Sequence, residues 1–186
     1  MNNEVSVENS RYKNELSFSN KLGRLVWRMT YYIFFRPFIG NVFKEWRNLV
    51  LRLFGAKITG DTKIFASVRI WAPWNLEVDS ACISYNTILY NVDKIYIGKS
   101  TVISHNVHIC TASHDIYHKS HRLITKPIII KDKVWVAVDS FIGPGVTVGQ
   151  GAVIGARAAV FKDVQDWSVV GGNPAKFIKK RVISDA

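Results

Sequence analysis

Five histidines fall within residues 105–121: His105, His108, His114, His118 and His121. As a residue type, histidine titrates near neutral pH, so it can take a proton from an alcohol or ligate a metal. Three of the five lie in one polar stretch, residues 113–127, which reads Ser-His-Asp-Ile-Tyr-His-Lys-Ser-His-Arg-Leu-Ile-Thr-Lys-Pro. An alcohol oxygen is a poor nucleophile until its proton is removed, so a histidine on a polar excursion suits general-base work. A solvated loop histidine is the plainer alternative. Zinc would need three or four converging donors. Away from this stretch, Asn86, Trp135 in Val-Trp-Val, and a basic run over 176–181 that includes Lys176 and Lys179 also have side chains that could bind something.

These residues need a scaffold. The chain has 186 residues, 48% hydrophobic and 21% charged. That is enough to bury a core in one domain and excludes disorder for most of the length. Two cysteines, Cys82 and Cys110, make no disulfide framework. The net charge is +11, which invites nucleic acid, an anionic membrane or an anionic small ligand. By segment, residues 1–20 carry −1, residues 21–57 carry +7 (eight Lys/Arg against Glu45), and residues 58–186 carry +5. Residues 1–20 read as a tail, flexible rather than folded. Acidic residues within it spoil a signal-peptide reading.

Residues 21–57 combine the charge with strong apolarity. Arg28, Arg36 and Pro37 interrupt any membrane span, which needs about 20 apolar residues in a row. Two amphipathic helices are expected instead. The first places Leu22, Leu25, Val26, Met29, Tyr32 and Ile33 on one face. The second places Val42, Phe43, Trp46, Leu49, Val50, Leu53 and Phe54 opposite Lys44, Arg47, Asn48 and Arg52. Such helices can cap and cover the end of the main domain or lie on an anionic membrane, and the two are compatible. Both readings stay open.

From residue 58 the pattern has period six. The register runs Ile58, Ile64, Ile70, Leu76, Cys82, Ile88, restarts at Ile97, Ile103, Ile109, and restarts again at Ile130, Val136, Ile142, Val148, Ile154, Val160. Fourteen of these fifteen are Ile, Leu or Val, where the composition alone would place about four. Four places later stand small or β-branched residues, with Trp74 and Asn86 as exceptions. A six-residue unit is a short strand plus a corner, and stacked units bury one continuous apolar column. The expected fold is therefore all-β, a parallel β-helix over 58–172, with residues 113–127 leaving it as a loop and 173–186 as a basic tail. In this register Asn86 is a polar amide at a corner that favours small residues, either bonded to backbone or kept for a ligand.

The repeat, the loop "TASHD", the run "KPIIIKDKVWVAVDSFIGPGVTVGQGAVIGARAAVFKDV" and the ending "VVGGNPAKFIKKR" resemble the hexapeptide-repeat acyltransferases. "WRNLVLRLFGAKI" followed by "VRIWAPWNLEV" narrows this to colanic-acid-biosynthesis-type O-acetyltransferases, near the galactoside and maltose acetyltransferases. The resemblance covers residues 17–182. It implies a left-handed β-helix, a homotrimer with sites between subunits, and acetyl coenzyme A as donor.

Residue by residue, the resemblance makes His114 the general base in a ternary-complex mechanism, and Asp115 a candidate to orient it. It puts an oxyanion-binding backbone N–H near Val138, although relatives more often have Gly-Ser where this chain has Ala137-Val138. It brings Asn86 to the acceptor sugar and Trp135 near the acceptor or the pantetheine arm, with packing on the outer face as the alternative for Trp135. Backbone amides of Ala137 and Ala156 match contacts to that arm. Lys162, Lys176 and Lys179 match cations near the phosphates, with a solvated basic tail as the alternative. The three-His metal site of the superfamily's carbonic-anhydrase branch uses two His five residues apart. No His pair here has that spacing, so no metal is expected.

The expected activity is O-acetylation of a saccharide in exopolysaccharide or surface-glycan biosynthesis, on a free, nucleotide-linked or lipid-linked acceptor. The expected location is the cytoplasm or the inner face of its membrane. A trimeric scaffold that binds membrane or protein through residues 21–57 is the non-enzymatic alternative. No nucleic-acid motif appears, and no nucleic-acid partner is expected.

Overall fold

The computed structural model describes residues 17–184. The tail expected over 1–20 falls largely outside these residues. Helix α1 spans Phe18–Thr30, with the Ser17 hydroxyl accepting from the Asn20 N–H at 3.2 Å as its N-cap. It runs on as one π-helical turn, Tyr31–Phe35. Helix α2 spans Lys44–Leu53.

The rest winds as a triangular solenoid. Its first coil is β1 (Lys57–Thr59), β2 (Lys63–Ile64) and β3 (Arg69–Ile70). The second is β4 (Leu76–Asp79), β5 (Cys82–Ile83) and β6 (Ile88–Tyr90). The third is β7 (Ile95–Ile97), β8 (Val102–Ile103) and β9 (His108–Cys110). The chain then leaves as a hairpin, β10 (Ala112–His114) against β11 (Leu123–Thr125). The fourth coil is β12 (Ile128–Ile130), β13 (Trp135–Val136) and β14 (Phe141–Ile142). The fifth is β15 (Thr147–Val148), β16 (Val153–Ile154) and β17 (Ala159–Val160). A sixth, partial coil ends in β18 (Ser168–Gly171), on which β19 (Lys176–Lys180) folds back antiparallel. The basic tail is thus partly a strand.

Within the coils every pairing is parallel, and the strands form three faces. The first face holds β1, β4, β7, β12 and β15; the second β2, β5, β8, β13, β16 and β18; the third β3, β6, β9, β14 and β17. The fold is the β-helix expected from the hexads, preceded by a helical segment.

Thirteen of the fifteen register positions are buried, and the two misses share one cause. Cys82 and Ile88 are only half-buried, while Ile83 and Leu89 are fully buried and pair with Ile64 and Ile70. The second coil is shifted by one because residues 71–75 insert a 3₁₀ turn, Pro73–Asn75, at the corner before it. Buried Asn91 pins that turn. Its Oδ1 accepts from the Trp71 and Ala72 N–H groups at 3.1 Å each, and its Nδ2 donates to the Ala72 carbonyl. In the true register the small corner residue is buried Thr87, and Asn86 occupies the exposed position before it, with φ of 59°. Asn86 therefore breaks no rule. Asn106 and Asp139 hold the same left-handed turn one and two coils on, at φ of 58° and 59°. Asn and Asp tolerate that conformation best among non-glycine residues.

The helices cover the first coil, and most of the apolar residues named for them face outward. In α2 the buried side includes Arg47 and Asn48, at 2% and 0% exposure, with Val50 and Leu51. Trp46, Leu49 and Leu53 face outward. The apolar stripe of α1 is also outward; Trp27, Tyr31 and Phe35 are buried instead. The reason is the open end of the solenoid. The first coil has no coil before it, so its carbonyls need donors. Arg47 Nε donates to the Ile64 carbonyl at 2.8 Å, Asn48 Nδ2 to Thr62 at 2.8 Å, Arg52 Nε to Ile58 at 3.0 Å and Trp27 Nε1 to Ile70 at 2.7 Å. Arg47 Nη1 adds bonds to the Phe38 and Gly40 carbonyls at 2.6 and 2.9 Å. Satisfying this edge draws the polar side inward and leaves the apolar side in solvent. Burial without a counter-charge lowers the Arg47 pKa from its ordinary value.

Candidate active site

His114 ends β10, at the loop end of the hairpin that leaves the solenoid between its third and first faces. Its Nδ1 lies 2.5 Å from the His121 carbonyl. A carbonyl oxygen can only accept, so Nδ1 is the hydrogen-bearing nitrogen of this contact. Asp115 acts one step removed. Its carboxylate accepts from the Tyr117 N–H at 3.0 Å and from Arg122 Nε at 3.2 Å. The backbone bond from Tyr117 is the leading cause of its lowered pKa, with Arg122 assisting. Asp115 therefore braces the loop that presents the His121 carbonyl to His114.

Three other candidates, Asn86, Val138 and Ala156, gather at the corner between the second and third faces. Tyr85, His105, Val138 and Ala156 form one column along four successive coils, and Asn86, Asn106, Asp139 and Arg157 form the next. The columns are laced together: the N–H groups of Asn106, Asp139 and Arg157 donate to the carbonyls of Tyr85, His105 and Val138 at 3.2, 3.3 and 2.9 Å. The Asn86 N–H donates to Ser67 Oγ at 3.0 Å. With one strand spacing of about 4.8 Å per coil, the track from Tyr85 to Ala156 is about 14 Å long.

The backbone N–H groups of Val138 and Ala156 take no hydrogen-bond partner among the described residues, and small Ala137 and Gly155 flank them. An extended chain with carbonyls could lie against these donors, so the residues present fit a pantetheine arm. The expected amide of Ala137 does not contribute: its N–H donates to the Ile154 carbonyl at 2.9 Å within the sheet. Trp135 lies on the second face, 48% exposed, its Nε1 donating to Ser104 Oγ at 3.1 Å.

Tyr85 was not foreseen. It is 47% exposed, stacks on His105 with ring centres 5.1 Å apart, and meets Phe65 edge-on at 5.9 Å. A groove of about 440 Å³ beside it is lined also by Lys63, Ser67 and Arg36. The corrected register would have shown it, because a count from Ile83 puts Tyr85 in column with His105 and Val138. His108 lies on the third face against Phe141. Burial, chiefly, and Arg69 lower its pKa.

Lys162 and Lys176 line one groove of about 450 Å³ at the C-terminal end. Lys179 sits on β19 opposite Val169, outside the lining of that groove. Among the described residues no three His, Cys, Asp or Glu side chains are grouped to hold a metal. No described helix is long and apolar enough to cross a membrane.

No protein-family model matches the chain. It is 43% identical over 143 residues to a protein of Escherichia coli K12 named colanic acid biosynthesis acetyltransferase WcaF, covering 76% of this chain and 79% of that one. A maltose O-acetyltransferase of Clostridium difficile superposes with a TM-score of 0.74 at 28% identity, over 90% of both chains. A hexapeptide-repeat acetyltransferase of Vibrio cholerae, complexed with acetyl coenzyme A, superposes with a TM-score of 0.82 over 95% of this chain and 97% of that one. Its 21% identity makes that a likeness of fold. Identity at the WcaF level, over three-quarters of both chains and on a solenoid of hexads, places this chain in the hexapeptide-repeat acyltransferases, among the colanic-acid-biosynthesis-type O-acetyltransferases.

Proposed function

We propose that the protein transfers acetyl from acetyl coenzyme A to a hydroxyl of a saccharide used in exopolysaccharide or surface-glycan assembly. The observation that carries this is the His114 imidazole at the end of β10, with Nδ1 held by the His121 carbonyl. Acetyl coenzyme A, when bound, supplies an acyl group activated as a thioester. His114 Nε2 takes the proton of the acceptor hydroxyl. The Val138 N–H is a donor for an oxygen that gains negative charge as the bond forms. Ala156 holds the arm, and Lys162, Lys176 and Lys179 are the cations for its phosphates. Asn86 and Trp135 contact the acceptor or the adjoining arm, and the Tyr85–His105 stack offers a sugar face an aromatic platform.

A homotrimer is compatible with the layout. The His114 hairpin leaves one corner of the prism, and the Val138–Ala156 track runs along another. A neighbouring copy that brings its hairpin to this track completes a site between subunits. Exposed Val102 and Trp135, side by side on the second face, supply apolar surface for that contact.

Two measurements test the reading. Coenzyme A release, followed across a panel of saccharides, is expected to rise with an acceptor whose product is monoacetylated by mass spectrometry. No release with any glycan precursor, together with no thermal shift on adding coenzyme A, would return the protein to a scaffold role. Tyr85→Ala is expected to raise the acceptor KM about tenfold with little change in kcat, the signature of a lost binding platform. An unchanged acceptor KM removes Tyr85 from the site.

A further inference from the structure

We infer that the helical segment is a docking surface for an anionic lipid bilayer, with lipid phosphates received in a basic cleft beside it. This stands apart from the acetyl-transfer reading. The apolar residues of both helices form an outward layer. Leu22, Met29, Ile33 and Leu53 are 49%, 59%, 56% and 75% exposed. The polar side of α2 is occupied in capping the first coil, and α1 with its π turn packs there through Trp27, Tyr31 and Phe35, so the layer is built into the fold.

Next to the layer, between α1 and the end of β3, lies a cleft of about 390 Å³. Lys21, Arg24, Arg28 and Arg69 line it with Trp27 and Trp71. Arg24 stacks over the Trp71 ring at 4.1 Å. Among the described residues none of these four cations forms an ion pair with a carboxylate. Leu25 and Tyr32 belong to both the cleft lining and the exposed layer. The cleft therefore opens at the level of that layer, where lipid phosphates lie when apolar side chains enter the acyl region.

Charge chooses the occupant. A second copy would bring the same +7 segment against itself. An anionic bilayer accepts both the apolar residues and the cations around them.

Flotation of the full-length protein with vesicles tests this. Wild type is expected to float with phosphatidylglycerol-containing vesicles, to float weakly with pure phosphatidylcholine, and to release as salt rises. K21E/R28E is expected to cut binding by about 25-fold or more, at about fivefold per basic residue near the surface. L22E/M29E removes apolar contact without touching the cleft, and should also lose binding. All four positions are exposed, so circular dichroism and coenzyme A release should match wild type. Failure of wild type to float, or equal flotation of K21E/R28E, overturns the inference. So does a large assembly that L22E/M29E breaks up while wild type ignores vesicles, since the layer would then meet a second copy.

Discussion

His114→Ala is expected to lower kcat for acetyl transfer by about 10²- to 10⁴-fold, the range for losing a positioned general base. KM values should change little, because the imidazole acts on the proton in flight and contributes little to ground-state binding. Folding should survive, since His114 is exposed and lies outside the apolar column. Initial rates of coenzyme A release with a saturating acceptor give the number, and a melting curve controls for folding. His114→Asn sharpens the test, because it can keep a donor toward the His121 carbonyl while removing the basic nitrogen. A variant of either kind with near-wild-type kcat would falsify the assignment of His114 as base.

The second large effect concerns stability. Arg47→Ala removes three hydrogen bonds from a charged donor to carbonyls at a buried site. Each charge-assisted bond contributes about 1.5–3 kcal/mol, and each buried acceptor left alone costs about 1–3 kcal/mol, with much overlap between the two. Substitutions that break a buried charged network typically cost about 3–5 kcal/mol, and that is the expected loss. Urea titration should show a lower midpoint, with α2 released before the later coils. Arg47→Lys keeps the charge but not the fork, and should fall between the two. A loss below about 1 kcal/mol for Arg47→Ala would mean water replaces the guanidinium at no cost, and the capping account would be wrong.

Periodicity carried most of the solenoid, because one side chain in six must enter a column that admits only aliphatics. It failed where the chain made a local exception. The 71–75 turn offsets the second coil by one, and a register set by Leu76 and Ile88 cannot detect it. Leu76 is itself buried, and Ile88 is aliphatic like the residue that replaces it. The misreading of Asn86 followed from that single offset. The orientation of the helices was not legible for a different reason. Amphipathicity says that two sides differ, not which one meets the protein. Here the partner surface is a row of carbonyls, so Arg47 and Asn48 are buried while exposed Arg52 reaches the Ile58 carbonyl. The candidate site was marked in the sequence where a side chain stands out in a polar loop, as at His114, whose role rests on the resemblance. It was hidden where backbone acts: the engaged N–H of Ala137 and the unengaged ones of Val138 and Ala156 depend on which direction each amide faces in the coil.

The carbonyl row under α2 also bears on how the protein stays discrete. A β-helix is a stack of identical rungs, and its bare end is a template on which another chain's end could add, as in cross-β growth. Arg47, Asn48, Arg52 and Trp27 occupy the acceptors that such growth would use. At the other end β19 closes the second face by running antiparallel to β18, which a parallel rung cannot extend. The molecule is thus terminated chemically at both poles. With the C-terminal pole closed by β19, loosening the N-terminal stop alone should not let copies add end to end.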